Sequence, residues 1–298
     1  MDATTPDNFR RQVFEIDTPS GPGQIAGIAL GDATRPIDVI FVHANGFNAL
    51  TYRSVLAPLA ERLHVLAIDQ QGHGRSPQRV ASESRSSWIL FRDDLVALLD
   101  RIGGGPLLLS GHSMGGTASV MAAAEQPAKV KGLALFDPVI MPLDLGRRVA
   151  AGEAPPLSQS PLAIGAARRR AVYASRQEAF DRYKGRGAFT TWPDEALADY
   201  VEDGFRDRPD GQVELACAPD WEAANFSSHQ HDPWAPLHAI RAPVKIFRAS
   251  EGSTCSADSA GPFVADNLNF SVETVPGTSH FLPIERPGLV RETILAMA

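Results

Sequence analysis

The hydrophobic positions of this chain follow two alternating rhythms. Short, nearly unbroken apolar runs such as "DVIFVHA", "HVLAIDQ", "PLLLSG" and "VKGLALFD" are separated by longer stretches with apolar residues three and four apart, as in "SSWILFRDDLVALLDRI" and "MGGTASVMAAAEQ". The short runs predict buried strands, and the longer periodicity predicts helices that each lay one face on them. "YRSVLAPLAERL" predicts a further helix, and "RQVFEID" with "QIAGIALG" an opening pair of strands. Strand and helix in this alternation define an α/β class with a largely parallel sheet. From Met141 to Pro236 the rhythm breaks into Pro, Arg, aromatic and acidic residues with helix-like stretches, "IGAARRRAVYASRQEAFDRY" and "PDEALADYVEDGF". It resumes at "APVKIFRAS" and "FSVETVPG" and closes with the helix pattern "GLVRETILAMA". The expected organisation is a core over residues 1–141 and 237–298, interrupted by a helical insertion over 142–236.

Composition narrows the function classes. A chain of 298 residues with 44% hydrophobic content can bury one large core together with a subdomain. The net charge of −7 comes from scattered acids, which favours solubility and argues against nucleic acid as a partner. The start "MDATTPDNFRRQ" lacks the apolar segment of a secretion signal, and no run approaches the ~20 apolar residues of a membrane span. A soluble, cytoplasmic protein with no membrane partner is expected. Cys217 and Cys255 allow at most one bridge, and their spacing suggests neither a zinc site nor a redox pair.

Candidate chemistry centres on "LLLSGHSMGGTAS", residues 107–119. A serine hydroxyl is a weak nucleophile at neutral pH, so it needs a base within hydrogen-bond reach and an exposed position. A strand, a sharp turn and a helix supply that position, and Gly111 and Gly115 around Ser113 remove the Cβ atoms that would obstruct the crossing. Ser113 is therefore the expected nucleophile.

At this point the chain resembles the α/β-hydrolase family over nearly its whole length. The matching segments, in order, are "FVHANGFN", "DQQGHGRS", "GHSMGG", "LFDP" and "PGTSHFLPIERP". The resemblance implies a mostly parallel eight-stranded sheet with flanking helices, a cap inserted after strand six, and a Ser, acid, His triad. His280, in the loop after the last strand, is the expected base. Met114 follows the nucleophile and is expected to give one oxyanion N–H. Matching Gly46 to the family's glycine makes Phe47 the second donor, with Asn45 as the alternative through its backbone or side-chain amide. The acid departs from the family pattern, because Gly252 stands where most members carry an aspartate beyond strand seven. Asp137 at the end of strand six is preferred, Glu251 is the alternative, and Asp258 is a distant third.

The remaining candidates have blander readings. His43 is expected to brace its loop and His112 to point away from the nucleophile. His229 and His231 with Asp232 fall short of a metal ligand set. Arg168, Arg169 and Arg170 read as a solvated helix face, and the aromatics Trp192, Trp221, Trp234, Phe180, Phe189, Phe205 and Tyr183 either line a pocket or form the insertion's own core. The expected activity is cofactor-independent hydrolysis of a small carboxylic ester or lactone through an acyl-enzyme on Ser113. C–C bond hydrolysis or perhydrolysis on the same triad, or ligand binding with little turnover, are the alternatives. A serine at 113 disfavours dehalogenase and epoxide hydrolase chemistry, which use a carboxylate there.

Overall fold

A computed structural model describes residues 9–82, 87–142, 144, 145, 148, 151, 153, 155–228, 230–256 and 269–298. Strands β1 (Phe9–Thr18), β2 (Gly21–Leu30), β3 (Val39–Val42), β4 (Val65–Ile68), β5 (Leu107–His112) and β6 (Val130–Phe136) come before the inserted segment. That segment carries β7 (Val172–Tyr173), β8 (Phe205–Asp207) and β9 (Val213–Leu215), and β10 (Val244–Ala249) and β11 (Phe270–Val275) follow it. The main sheet has eight strands in the order β1-β2-β4-β3-β5-β6-β10-β11. Only the β1/β2 and β2/β4 pairs are antiparallel, and every other pair is parallel.

Every residue of β3, β4 and β5 is buried, as expected of central parallel strands covered on both faces. Alternate side chains divide between two cores. Val39 and Phe41 pack with Val290 and Ile294 of the C-terminal helix, Pro287–Met297, whereas Ile40 and Val42 pack with Leu95, Leu98 and Leu99 of α1 (Ile89–Ile102) and Val120 of α2 (Met114–Glu125). Each large side chain so buried contributes roughly 1.5–3 kcal/mol, which makes the sheet a firm platform for the loops at its edge. The β3, β5, β6 and β11 strands run parallel, so the loops after Val42, His112, Phe136 and Val275 all leave the same, C-terminal edge.

Two expectations are corrected here. "YRSVLAPLAERL" does not form one helix: it is split into 3₁₀ turns at Leu50–Tyr52 and Ala57–Glu61 around a single α-turn, Arg53–Leu56. Pro58 accounts for the break, since its ring and missing N–H disrupt the helical ladder. The inserted segment is not purely helical either. Besides α3 (Pro161–Ala167), α4 (Arg176–Tyr183), α5 (Asp194–Gly204) and α6 (Pro219–Ser227), it holds a three-stranded sheet, β7-β9-β8. Strands of two or three residues are too short to show an alternating pattern. Among the described residues no helix is long and apolar enough to cross a membrane.

Candidate active site

Ser113 occupies a sharp turn between β5 and α2 with φ 55° and ψ −123°, a conformation rarely adopted by residues other than glycine. The flanking glycines are required by close backbone approach. A Cβ at Gly115 would lie 2.3 Å from the carbonyl oxygen of Val42, and one at Gly111 would lie 2.7 Å from the backbone of Gly115. The turn therefore presses α2 against β3 and leaves the serine hydroxyl at the sheet edge.

His280 Nε2 lies 3.0 Å from Ser113 Oγ, and His280 Nδ1 lies 2.6 Å from Asp137 Oδ2. Asp137, fully buried, also has a positive φ, 45°, which aspartate tolerates better than most residues. Its carboxylate accepts from the Ala249 N–H at 2.8 Å, the Ser253 hydroxyl at 2.5 Å and the Thr254 N–H at 3.1 Å. Burial pushes the Asp137 carboxyl up, but the bond from His280, its charge, and the Ser253 and Ala249 donors outweigh burial and hold it below the ordinary carboxylate value. Glu251, the alternative acid, is solvent-exposed on the surface, with its backbone N–H on Thr278 O, and does not meet His280. Asp258 lies outside the described residues. Ser253, which the sequence reading did not single out, occupies the loop after β10, where the absence of the expected aspartate was the available signal.

His112 does more than point away from Ser113. Its Nε2 lies 2.7 Å from the carbonyl oxygen of His280 and its Nδ1 2.7 Å from the Tyr52 hydroxyl. Burial, reinforced by the His280 charge, lowers its pKa to about 3, so the ring is neutral. A carbonyl can only accept, so Nε2–H donates to His280 O and Nδ1 accepts from Tyr52. The Tyr52 hydroxyl in turn accepts from the Ala44 N–H at 3.3 Å. One neutral imidazole thus ties the histidine loop to the loop after β3. His43 braces that same loop: its Nε2 accepts from the Gln70 N–H at 2.9 Å and its Nδ1 donates to Ala44 O at 2.7 Å. Burial lowers its pKa to about 4.

In this loop the Phe47 N–H, the first-choice donor, already has a partner. Phe47 N–H donates to Ala44 O at 3.1 Å, closing a turn in which Gly46 has φ +76°. The N–H is therefore committed within the loop, and a turn of this shape needs glycine at its third position. Ala44 O accepts from both His43 and Phe47, and in a trans peptide the N–H of Asn45 points the opposite way. The Asn45 side chain, by contrast, is taken up on the inserted segment: Nδ2 donates to Glu222 O at 3.1 Å, and Oδ1 accepts from Asn225 Nδ2 at 2.8 Å. Met114 begins α2, so its N–H has no partner within the helix.

Residues 39–293 match the family model described as the alpha/beta hydrolase family. The chain belongs to the alpha/beta hydrolase family. It is similar, at 24% identity over 260 residues and 86% of each chain, to the 2-(acetamidomethylene)succinate hydrolase of Mesorhizobium japonicum. A 114-residue stretch is 36% identical to the monoglyceride lipase of Rattus norvegicus and covers 36% of each protein. Among solved structures, that of E-2-(acetamidomethylene)succinate hydrolase superposes with a TM-score of 0.76 at 20% identity, covering 97% of this chain and 99% of the other.

Two further features of this hydrolase differ from the sequence reading. Helix α3 ends at Ala167, and Arg169 turns inward instead of facing solvent. It pairs with Glu222 and donates to the hydroxyls of Tyr200 at 2.8 Å and Tyr183 at 3.2 Å. Despite burial, these neighbours hold the guanidinium well above its ordinary value, so it remains charged. The aromatics also separate. Trp192 packs edge-on against Phe47, 5.1 Å between centroids, and against Phe281, 5.9 Å, while Phe189, Tyr183 and Phe205 continue the cluster into the inserted segment. Trp221 instead donates to Gln71 O and Trp234 to Met141 O. His231 stacks on Trp88 at 4.4 Å, and His229 lies outside the described residues. Cys217 and Cys255 are buried free thiols.

Proposed function

We propose that this member of the family is a serine hydrolase that cleaves a carboxylic ester or lactone through an acyl-enzyme on Ser113. The observation that carries this reading is the continuous line from Ser113 Oγ to His280 Nε2 at 3.0 Å and from His280 Nδ1 to Asp137 at 2.6 Å. Ser113 Oγ attacks the carbonyl carbon while its proton passes to His280 Nε2. Asp137, held ionised by its donors, keeps the Nδ1–H tautomer and stabilises the imidazolium. The backbone N–H groups of Met114 and Asn45 receive the developing oxyanion. His280 then returns the proton to the departing alcohol oxygen as the carbonyl C–O bond breaks. In the second half a water gives its proton to His280 as its oxygen attacks the acyl carbon; the bond from that carbon to Ser113 Oγ then breaks, His280 returns the proton to Oγ, and the carboxylic acid leaves.

The names of relatives, a lipase and a succinate-derivative hydrolase, support hydrolysis of a small carbonyl substrate. The aromatic cluster of Phe47, Trp192 and Phe281, with Phe281 beside His280, supports an apolar acyl or alcohol part. A panel of nitrophenyl esters and simple lactones tests this reading. Turnover in the wild type and its loss in Ser113→Ala is the expected result. Absence of turnover on both substrate classes, or equal turnover in Ser113→Ala, overturns it.

A further inference from the structure

We infer that the inserted segment positions the oxyanion donor, with Asn225 of α6 acting on Asn45 across the two parts of the chain; this rests on the acyl-transfer reading above. Asn45, Asn225 and His73 are all buried, Asn225 and His73 completely. The Asn45 amide is held on every side: Glu222 O takes its Nδ2, Asn225 Nδ2 reaches its Oδ1, and His73 Nε2 lies 3.2 Å from the same oxygen. The first two partners are 177 and 180 residues away in sequence, and both belong to α6.

A second contact presses on the same loop. The Glu222 carboxylate lies over Gly46, where an added Cβ would come within 2.6 Å of Oε1. Arg169 holds that carboxylate, and Tyr200 and Tyr183 hold Arg169. The core fixes the carbonyl side of the Ala44–Asn45 peptide through His43 and Phe47, and gives the Asn45 side chain one partner, His73. The Asn45 side chain is the remaining handle on the orientation of its N–H, and beside His73 it is α6 that grips both ends of its amide, at Nδ2 through Glu222 O and at Oδ1 through Asn225. An oxyanion donor is effective only when aimed within a few tenths of an ångström of where the charge develops, and losing one outright costs about 10²–10³-fold. Loosening one without removing it should cost a fraction of that.

Asn225→Ala is therefore expected to lower kcat on nitrophenyl butyrate by about tenfold or more with little change in KM, because the interaction is made in the transition state. A short-chain alkyl trifluoromethyl ketone adds to Ser113 as a tetrahedral oxyanion, so its affinity should fall by the same factor as kcat/KM. The pH profile should not move, since His280 and Asp137 are untouched. Trp88→Phe serves as the control: it removes the bond from Trp88 Nε1 to Asn225 O, 3.0 Å, but leaves the Asn45 contacts in place. Its ketone affinity should be unchanged. Asn225→Ser repeats the test if the alanine variant does not fold. Unchanged ketone affinity in the Asn225 variants overturns the inference, as does an equal loss in Trp88→Phe. If wild type itself forms no ketone adduct on Ser113, the acyl-transfer reading falls and this inference with it; wild-type adduct formation with unchanged Asn225 variants removes this inference alone.

Discussion

The two sides of the candidate site are built differently. On the histidine side, Ser113, Asp137 and His280 all follow strands of the main sheet, and the donors to Asp137 come from the β10 edge beside it. On the oxyanion side, the loop after β3 is clamped between core residues and α6 of the inserted segment. The first arrangement inherits the rigidity of parallel strands. The second depends on how the insertion docks, so under the proposed function variation there is expected to change turnover while the Ser113–His280–Asp137 contacts stay intact. Even the buried carboxylates diverge. Asp137 is held below its ordinary value, whereas Asp69, which caps Ala49 at the end of the oxyanion loop, is pushed up by burial to about 7 against the pull of its backbone donors.

The largest effect should come from the histidine side. Asp137→Asn leaves the geometry but favours the wrong imidazole tautomer, and about 10⁴-fold loss in kcat is expected by analogy with other triads. Glu251→Gln, on the exposed surface, should stay within about twofold. Steady-state kinetics on both variants with folded-state checks decides the matter, and a loss confined to Glu251→Gln would return the acid to the loop after β10.

On the oxyanion side the first effect should be on stability. Arg169→Met leaves Glu222 buried without its partner, at a cost of about 3–5 kcal/mol, and Arg169→Met with Glu222→Gln should recover part of it. Urea denaturation of the single and double variants measures this. No recovery in the double variant would mean that Arg169 acts through its tyrosine bonds and not through the ion pair.

A smaller, pH-dependent effect separates the two carboxylates. Asp69 has a folded pKa raised above its unfolded value, so it binds more protons folded than unfolded between about pH 4 and 7. Its contribution to stability is present below that window and is lost as pH rises through it. The advantage of wild type over Asp69→Asn in thermal melts should therefore be greatest near pH 4 and shrink toward pH 7. A constant difference would place Asp69 ionised throughout.

These contrasts also mark what the sequence could show. The strands of the main sheet were legible because parallel strands buried on both faces are written as continuous apolar runs, and the elbow because two glycines must flank the serine. Ser113, Asp137 and His280 were legible because each follows such a run, and the structure brings those three side chains together. The oxyanion loop was less so. Whether Phe47 or Asn45 offers its N–H depends on a turn bond inside "HANGF", and motif matching does not encode that. The Asn45–Asn225 contact spans 180 residues and pairs two common polar residues, so no local pattern announces it. Arg169 was misread because "ARRR" looks like a solvated helix face until the helix is seen to stop two residues earlier.

Whether Ser113 alone carries the reaction is read most directly by titration with a fluorophosphonate. Sub-stoichiometric additions are followed by peptide mapping of the adduct and by residual activity on a nitrophenyl ester. An adduct on Ser113 alone is expected, with activity that falls linearly to zero at one adduct per chain. Full activity in chains labelled at Ser113, or loss of activity with the label on another residue, would contradict it.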